Sequence, residues 1–459
     1  MRDSFLLPEI RELVHSDNKE ELLFFLEDLH SATAAEFLAA LEINEILTVF
    51  SWLDASQASD IFSNFEIDDQ LAIIKSADPA QTGRILEQMP PDDRADLFNE
   101  LSQAQKDRIL PTLSKAERDD INKLSSYPEG SAGAAMTSDY VTLPMDITSA
   151  QAIEKLRREA PSSETIYYAY CVNEKQQLIG FVSLKDLILS EPDERILEFM
   201  HTEVFSVNVE TDQEEVARII RKYDLIAIPV TDKNGVLTGI ITHDDALDII
   251  IDEHTEDIEK LMAISGAHEA GAYLKTSSFE HFRNRAGWLS GLAIAGMVSG
   301  MVIHSFESEL EKLMILALYM PMIADSGGNS GSQASTVIIR ALALKEFEFE
   351  DIWQILLKEL KTSSMLAAVL SLIALIKVLF LSAGTTIPEG YSLLQIGSTI
   401  ALALGLQVIS STLIGVLLPF MAVKLKKDPA LIASPALTTV VDITGLLIYF
   451  TTARILLKL

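Results

Sequence analysis

A carboxylate stands near the middle of the last apolar run of the chain, LIASPALTTVVDITGLLIYFTTARILL, at Asp442. The run has the span of a membrane-crossing helix, and a charge at the centre of such a helix costs roughly 2.5 to 3.5 kcal/mol on insertion scales. Something has to offset that cost. An ion pathway, a proton relay and a buried ion pair are the functional readings. The plain one is an Asp bonded to Ser or Thr hydroxyls, or paired with Lys377 of another apolar run. Pro435 and Gly445 bracket the position, so the sequence predicts an irregular helix with carbonyls exposed beside the carboxylate.

Acids also gather before the apolar half begins. In HDDALDIIIDEHTEDIEKLM the apolar Leu247, Ile250, Ile251, Ile258 and Leu261 suit one long helix, which sets Asp244, Asp248, Asp252 and Glu256 on another face at spacings of four. Asp245, Glu253 and Asp257 thicken the run. Like charges at that spacing cost a few tenths of a kcal/mol per pair, so the face calls for a counter-ion or a basic partner unless it is merely solvated. In PPDDRADLF, Asp92, Asp93 and Asp96 open a helix; they either complement its dipole or bind a cation.

The 459 residues allow two or three domains, and 48% apolar content with a mean hydropathy of +0.23 points to a membrane part. Thr276–Leu459 carries 13 basic and 13 acidic residues, so the whole formal charge of −31 lies before it. An acidic body of this kind attracts cations rather than nucleic acid or anionic lipid. The N-terminus lacks an apolar core of signal-peptide length, which predicts a cytosolic acidic part, and a single cysteine, Cys171, agrees with a reducing compartment. There is no P-loop and no grouping of nucleophile with base, so no enzyme is expected.

From Leu29 the chain repeats every 12 residues. Leu29, Leu41, Leu53, Phe65, Ala77, Met89, Leu101 and Leu113 form one lattice; Phe37, Val49, Ile61, Ile73, Ile85, Leu97, Ile109 and Ile121 form a second. Turn-like pieces such as DAS and DPA separate them and supply N-caps, which predicts a solenoid-like stack of short helices. The pattern then becomes mixed α/β, twice, each copy with a helix, two strands around a turn and a second helix. The copies match best at GFVSLKD and GIITHDD, and this resembles a tandem pair of CBS domains. That resemblance implies that Ser183 with Asp186, and Thr242 with Asp245, face the ribose of an adenine nucleotide such as ATP, although many CBS pairs hold none.

Five spans follow, at roughly 286–306, 313–339, 363–381, 393–423 and 430–457. Arg340, Lys345, Lys358 and Lys361 follow the second span and Lys424, Lys426 and Lys427 the fourth, against Glu307, Glu309, Glu311 or Glu389 on the other side. The positive-inside rule then keeps the N-terminus cytosolic and the C-terminus outside. In the second span, PMIADSGGNSGSQAST predicts a broken helix at Gly327, Gly328 and Gly331. Such a break suits a water-filled path lined by carbonyls and small polar side chains, with close helix packing as the alternative. Asp325 would cap the freed N–H groups or add a carboxylate to the pore.

Over nearly its full length the chain resembles the MgtE family of magnesium channels, most specifically in GGNSGSQASTVIIRALA and DPALIASPALTTVVDITGLLIYF. The fold class implied is a multi-domain membrane protein. It comprises an all-α solenoid-like N-domain (1–127), an α/β tandem CBS pair (128–200 and 201–251), a connecting plug helix and linker (252–280), and an all-α five-span domain (281–459). The resemblance implies a homodimer in the lipid bilayer of the cell membrane, conducting Mg2+ and gated by it. Asp442 would line the pore with Ser434, Thr438, Thr439, Gly328, Asn329 and Asp325. Regulatory Mg2+ would bind among Asp92, Asp93, Asp96, Asp245, Asp248, Asp252, Glu253, Glu256 and Asp257. Ser332 and Ser434 stand where relatives often have Asn, and Asp325 where a small residue is expected, so the pore lining differs. A proton- or Na+-coupled divalent cation transporter, and an adenine-nucleotide sensor on a membrane anchor, are the alternatives.

Overall fold

The computed structural model describes residues 7–262, 264, 276–343, 346, 347, 349–425, 428, 429 and 435–459. Ser434, Lys345, Lys426 and Lys427 lie outside them. The chain forms two compact units, Met1–Ile250 and Ile251–Leu459.

The 12-residue lattices set the first part of unit 1. Ten helices run from α1 (Leu7–His15) to α10 (Lys115–Leu124), one per repeat beyond the second. Every member of the second lattice, from Phe37 to Ile121, is buried inside its helix. The first lattice falls at helix ends: Leu53, Ala77 and Leu101 are C-caps. Asp54 and Asp78, from the turn pieces, accept N–H bonds at the starts of α5 (Ala55–Ser63) and α7 (Pro79–Leu86). From the third helix onward each packs on the one two places along. This makes two interleaved rows: α3 (Ser31–Leu38), α5, α7 and α9 (Gln103–Ile109), and α4 (Ile43–Trp52), α6 (Ile67–Ser76), α8 (Pro91–Glu100) and α10.

Next come two three-stranded sheets of like topology. In the first, β1 (Tyr140–Pro144) pairs parallel with β2 (Thr165–Val172), which pairs antiparallel with β3 (Leu178–Ser183). In the second, β4 (Val207–Asn208), β5 (Ala227–Thr231) and β6 (Leu237–Thr242) repeat the scheme. Helices α11 (Ser149–Glu159), α12 (Leu184–Leu189) and α13 (Ile196–Phe199) belong to the first half, and α14 (Gln213–Tyr223) and α15 (His243–Leu261) to the second. The sheets share a core of Tyr170, Val172, Ala227, Leu237 and Ile240. Ala95 of α8 and Leu124 of α10 join the core of the second half, and this fixes where the solenoid meets it. Lys123 Nζ adds a bond to the Thr238 carbonyl at 3.0 Å.

Unit 2 holds five long helices: α16 (Ser278–Ser305), then after the short α17 (Glu307–Lys312) come α18 (Ile315–Ala343), α19 (Ile352–Leu381), α20 (Leu393–Lys424) and α21 (Pro435–Leu457). Four of them, all but α18, are long and apolar enough to cross a membrane. At 29 residues α18 spans about 43 Å, and its Gly, Ser and Asp lower its hydropathy. The expected break at Gly327, Gly328 and Gly331 is absent, because α18 runs through it as one helix. The glycines serve close crossing instead: a Cβ on Gly415 of α20 would collide with the Gly331 carbonyl, and one on Gly327 with Gln407. Ser330 and Thr412 hydroxyls bond across the same crossing at 2.7 Å.

Candidate functional site

The core contact of Ala95 turns the acidic start of α8 toward the start of α15. Asp92, Asp93 and Asp96 lie close enough to Asp245 for their charges to act on one another, as do Asp244, Asp248 and Glu164 with members of the group. Loss of water, and then each other's charge, raises all the carboxylates for which a shift is resolved. Asp92 is pushed well above its ordinary value, by burial first and then by Asp245, Asp93 and Glu164. Asp93 is pushed up to about 6 and Asp96 to about 7, by desolvation first and then by neighbouring carboxylates, although both residues stand exposed at the rim. Glu164 rises to about 7, by desolvation and then Asp245. Asp245 and Asp248 shift the same way, desolvation leading in both. One Asp92 oxygen, Oδ1, is buried with no hydrogen-bond partner.

Arg94 lies between these acids in sequence but turns the other way. It is buried, donates to the Leu86 carbonyl at 3.2 Å and pairs with Asp120 at 3.3 Å. Its charge moderates Asp139, which desolvation and Asp120 push up to about 6. Among the described residues, no three His, Cys, Asp or Glu side chains converge closely enough to ligate one ion directly.

The two Ser/Thr-and-Asp motifs are helix-capping devices in this structure. Ser183 caps α12: its hydroxyl accepts from the Asp186 N–H at 3.1 Å, while the Asp186 carboxylate accepts from the Ser183 N–H at 3.0 Å. His201 Nε2 also lies 3.0 Å from that carboxylate, with its ring stacked on Phe181. Thr242 shares one half of the device with Asp245, whose carboxylate accepts from the Thr242 N–H at 3.1 Å, and its hydroxyl donates to Asp244 at 2.6 Å. Asp245 thus belongs to both a cap and the acidic recess.

Asp252, Glu253, Glu256 and Asp257 continue α15 within unit 2. Glu256 has a basic partner there, Lys260, at 2.6 Å, and Lys260 reaches Asp428 at 3.2 Å. Burial, and then Asp428, raises Asp257.

In the membrane helices, Thr438, Thr439 and Asp442 share one face of α21, and Asp325, Gly328 and Asn329 share one face of α18. The two faces approach at Gly328, where an added Cβ would touch the Thr438 methyl at 3.9 Å. Asp442 is half-buried and Asp325 exposed. Since α18 is unbroken, no freed N–H groups exist for Asp325 to cap. No ion pair joins Asp442 to Lys377 among the described residues; Lys377 is exposed, one turn from the end of α19. At the other end of α21, Arg454 pairs with the buried Glu309 at 3.0 Å and lies over the Phe306 ring.

Sequence reasoning missed Glu164, Asp139, His201, Lys260 with Asp428, and Gln407. Each earns its place through a neighbour distant in sequence or, for Glu164, from a loop with no periodicity.

Comparison with known proteins bears on the order of domains. The sequence model of the family described as "Divalent cation transporter" (MgtE) matches residues 320–452, that of the "MgtE intracellular N domain" 29–130, and that of the CBS domain 132–192 and 196–252. "Magnesium transporter MgtE" of Thermus thermophilus is 40% identical over 341 residues, 74% of this chain and 73% of the relative. The protein of the same name from Bacillus subtilis is 40% identical over 72% of this chain and 70% of its own length. Among solved structures, the soluble part of a magnesium transporter matches 55% of this chain and 99% of its own, with 32% identity and a TM-score of 0.52. The cytosolic domain of the Mg2+ channel MgtE in complex with ATP matches 53% and 100%, with 34% identity and a TM-score of 0.51.

Proposed function

The chain belongs to the MgtE family of divalent cation transporters, and from that premise we propose that it is a homodimeric Mg2+ channel of the cell membrane, closed when Mg2+ bridges its acidic cytosolic domains. The observation that carries the gating is the recess of Asp92, Asp93, Asp96, Glu164 and Asp245, where raised carboxylates face one another without a basic side chain among the causes of their shifts. At neutral pH such a recess repels itself open unless cations fill it. Several oxygen sites acting through water bind weakly, which suits a sensor of millimolar cytosolic Mg2+.

In the membrane, the Asp442 side chains of two subunits bring −2 to an ion of +2, while Thr438, Thr439, Ser434, Gly328, Asn329 and Asp325 offer oxygens to its water. A divalent ion gains about 4.6 kcal/mol per 100 mV of inside-negative potential, so no other energy source is required and a gate is. Arg340, Lys358, Lys361 and Lys424, at the ends of α18, α19 and α20 that lie on one side of the membrane, support a cytosolic unit 1 and an outer C-terminus.

An adenine nucleotide at the CBS pair is a second ligand in this reading, supported by the ATP complex of the relative. To use the Asp186 carboxylate for a ribose it would displace His201.

Purified protein in liposomes, with internal Mg2+ varied, tests the channel and its gate together. The expected result is a Mg2+ flux that follows the membrane potential, ignores pH and Na+ gradients, and falls as internal Mg2+ enters the millimolar range. Flux that needs a proton or Na+ gradient would replace the channel with a coupled transporter. Absence of any cation flux would leave the nucleotide sensor.

A further inference from the structure

Gln407 stands where α18, α20 and α21 cross, and it is fully buried. Its Nε2 donates to the Val441 carbonyl at 2.9 Å, and its Oε1 is buried without a hydrogen-bond partner. Glycine faces it on both neighbouring helices. A Cβ on Gly445 would come within 2.6 Å of Nε2, and one on Gly327 would collide with the same amide. An apolar side chain of similar volume would fill this space without orphaning an oxygen, so packing alone does not account for a glutamine. What the amide adds is a grip on one carbonyl of α21, and that carbonyl belongs to the residue before Asp442.

Val441, Gly445 and Tyr449 form the inward face of α21, and Asp442 is the next position round, about 100° away. The Thr444 hydroxyl lies 3.1 Å from the Val441 carbonyl as well, so this turn is held from within its own helix and from α20. Turning α21 by about 20° would swing a carboxylate lying about 6 Å from the axis by about 2 Å, more than an oriented ion site tolerates.

We propose that Gln407 is a positioning residue for the ion path: by holding the Val441 carbonyl it fixes the rotation of α21, and so the direction in which Asp442 and Thr438 face. Gly327 and Gly445 are the notches that let it reach. The proposal rests on reading Asp442 as the carboxylate of the path.

Full-length protein in liposomes, assayed for Mg2+ flux against external Mg2+ and for thermal unfolding, tests it. Gln407→Leu keeps the volume and removes the donor. The half-saturating Mg2+ should rise about fivefold, the effect of one hydrogen bond, with unfolding near that of the wild type. Gly445→Ala, which pushes the amide off Val441, should produce the same rise, and the double variant should be no worse than either. This variant also serves if Gln407→Leu fails to fold. Unchanged half-saturation in both single variants, or additive effects in the double, would overturn the proposal. Asp442→Asn separates the two layers of argument: wild-type flux there would overturn the path reading and this proposal with it, whereas lost flux beside unchanged Gln407→Leu half-saturation would overturn this proposal alone.

Discussion

Carboxylates crowd the recess of unit 1 and are sparse along the membrane faces of unit 2. In the recess desolvation, and then one another's charge, raises the proton affinities of Asp92, Asp93, Asp96, Glu164 and Asp245. On α21 and α18, one Asp each is set among Thr, Gly and Asn. Under the proposed function the contrast follows from what each place asks of one ion. A sensor gains from many weak, mutually dependent charges, because the empty state is then unstable and filling it moves something. A path needs enough charge to admit the ion and little enough to release it.

The largest effect expected is on the membrane side of the contrast. Asp442→Ala should lower Mg2+ flux in liposomes by about a hundredfold or more, since the variant removes the main countercharge from an ion in a low-dielectric place, while expression and assembly persist. Normal conduction in that variant would end the division of labour drawn above.

On the other side, the proposed sensor sets protons and Mg2+ in competition for the same recess. A carboxylate whose folded value is raised favours the closed arrangement below its ordinary value near 4, and that favour is lost as pH rises through about 6 to 7, the values of Asp93, Asp96 and Glu164. Without divalent cations the protein should therefore resist protease at about pH 5.5 and be cleaved between solenoid and CBS pair at about pH 8, where millimolar Mg2+ restores resistance. Equal cleavage at both pH values would make these acids an ordinary solvated surface.

The smallest effect belongs to Asp325. With α18 unbroken, capping no longer explains it, and it shares a face with Gly328, which adjoins Thr438. Asp325→Ser should weaken apparent Mg2+ affinity severalfold without loss of expression; an unchanged affinity would leave Asp442 as the sole carboxylate of the path.

Periodicity was legible wherever burial repeats at a fixed step. The 12-residue lattice announced the solenoid because each helix buries the same position, and like charge at close spacing marked the acidic runs as calling for an outside counter-ion or partner. The partners were not legible. Nothing local distinguishes Glu164 from any loop acid, or pairs Lys260 with Asp428. The glycines of α18 misled for a related reason. Glycine costs an isolated helix about 1 kcal/mol each, and what offsets that cost here, the crossing of Gly331 with Gly415 and the notch for Gln407, lies some 80 residues away. The Ser/Thr-and-Asp motifs, expected to face a ribose, also have a local role: Ser183 and Asp186 form a capping box, and Asp245 accepts from the Thr242 N–H.

The two interleaved rows of the solenoid impose a parity on its length. Since each helix rests on the one two places before it, removing 12 residues ahead of α8 would transfer α8 and α10 to the opposite row, turning Asp92, Asp93 and Asp96 away from Asp245. Removing 24 would return them to their own row. Growth or loss in this domain is thus compatible with the recess only in even steps, and the acids of α8 are registered by counting helices as much as by any contact they make.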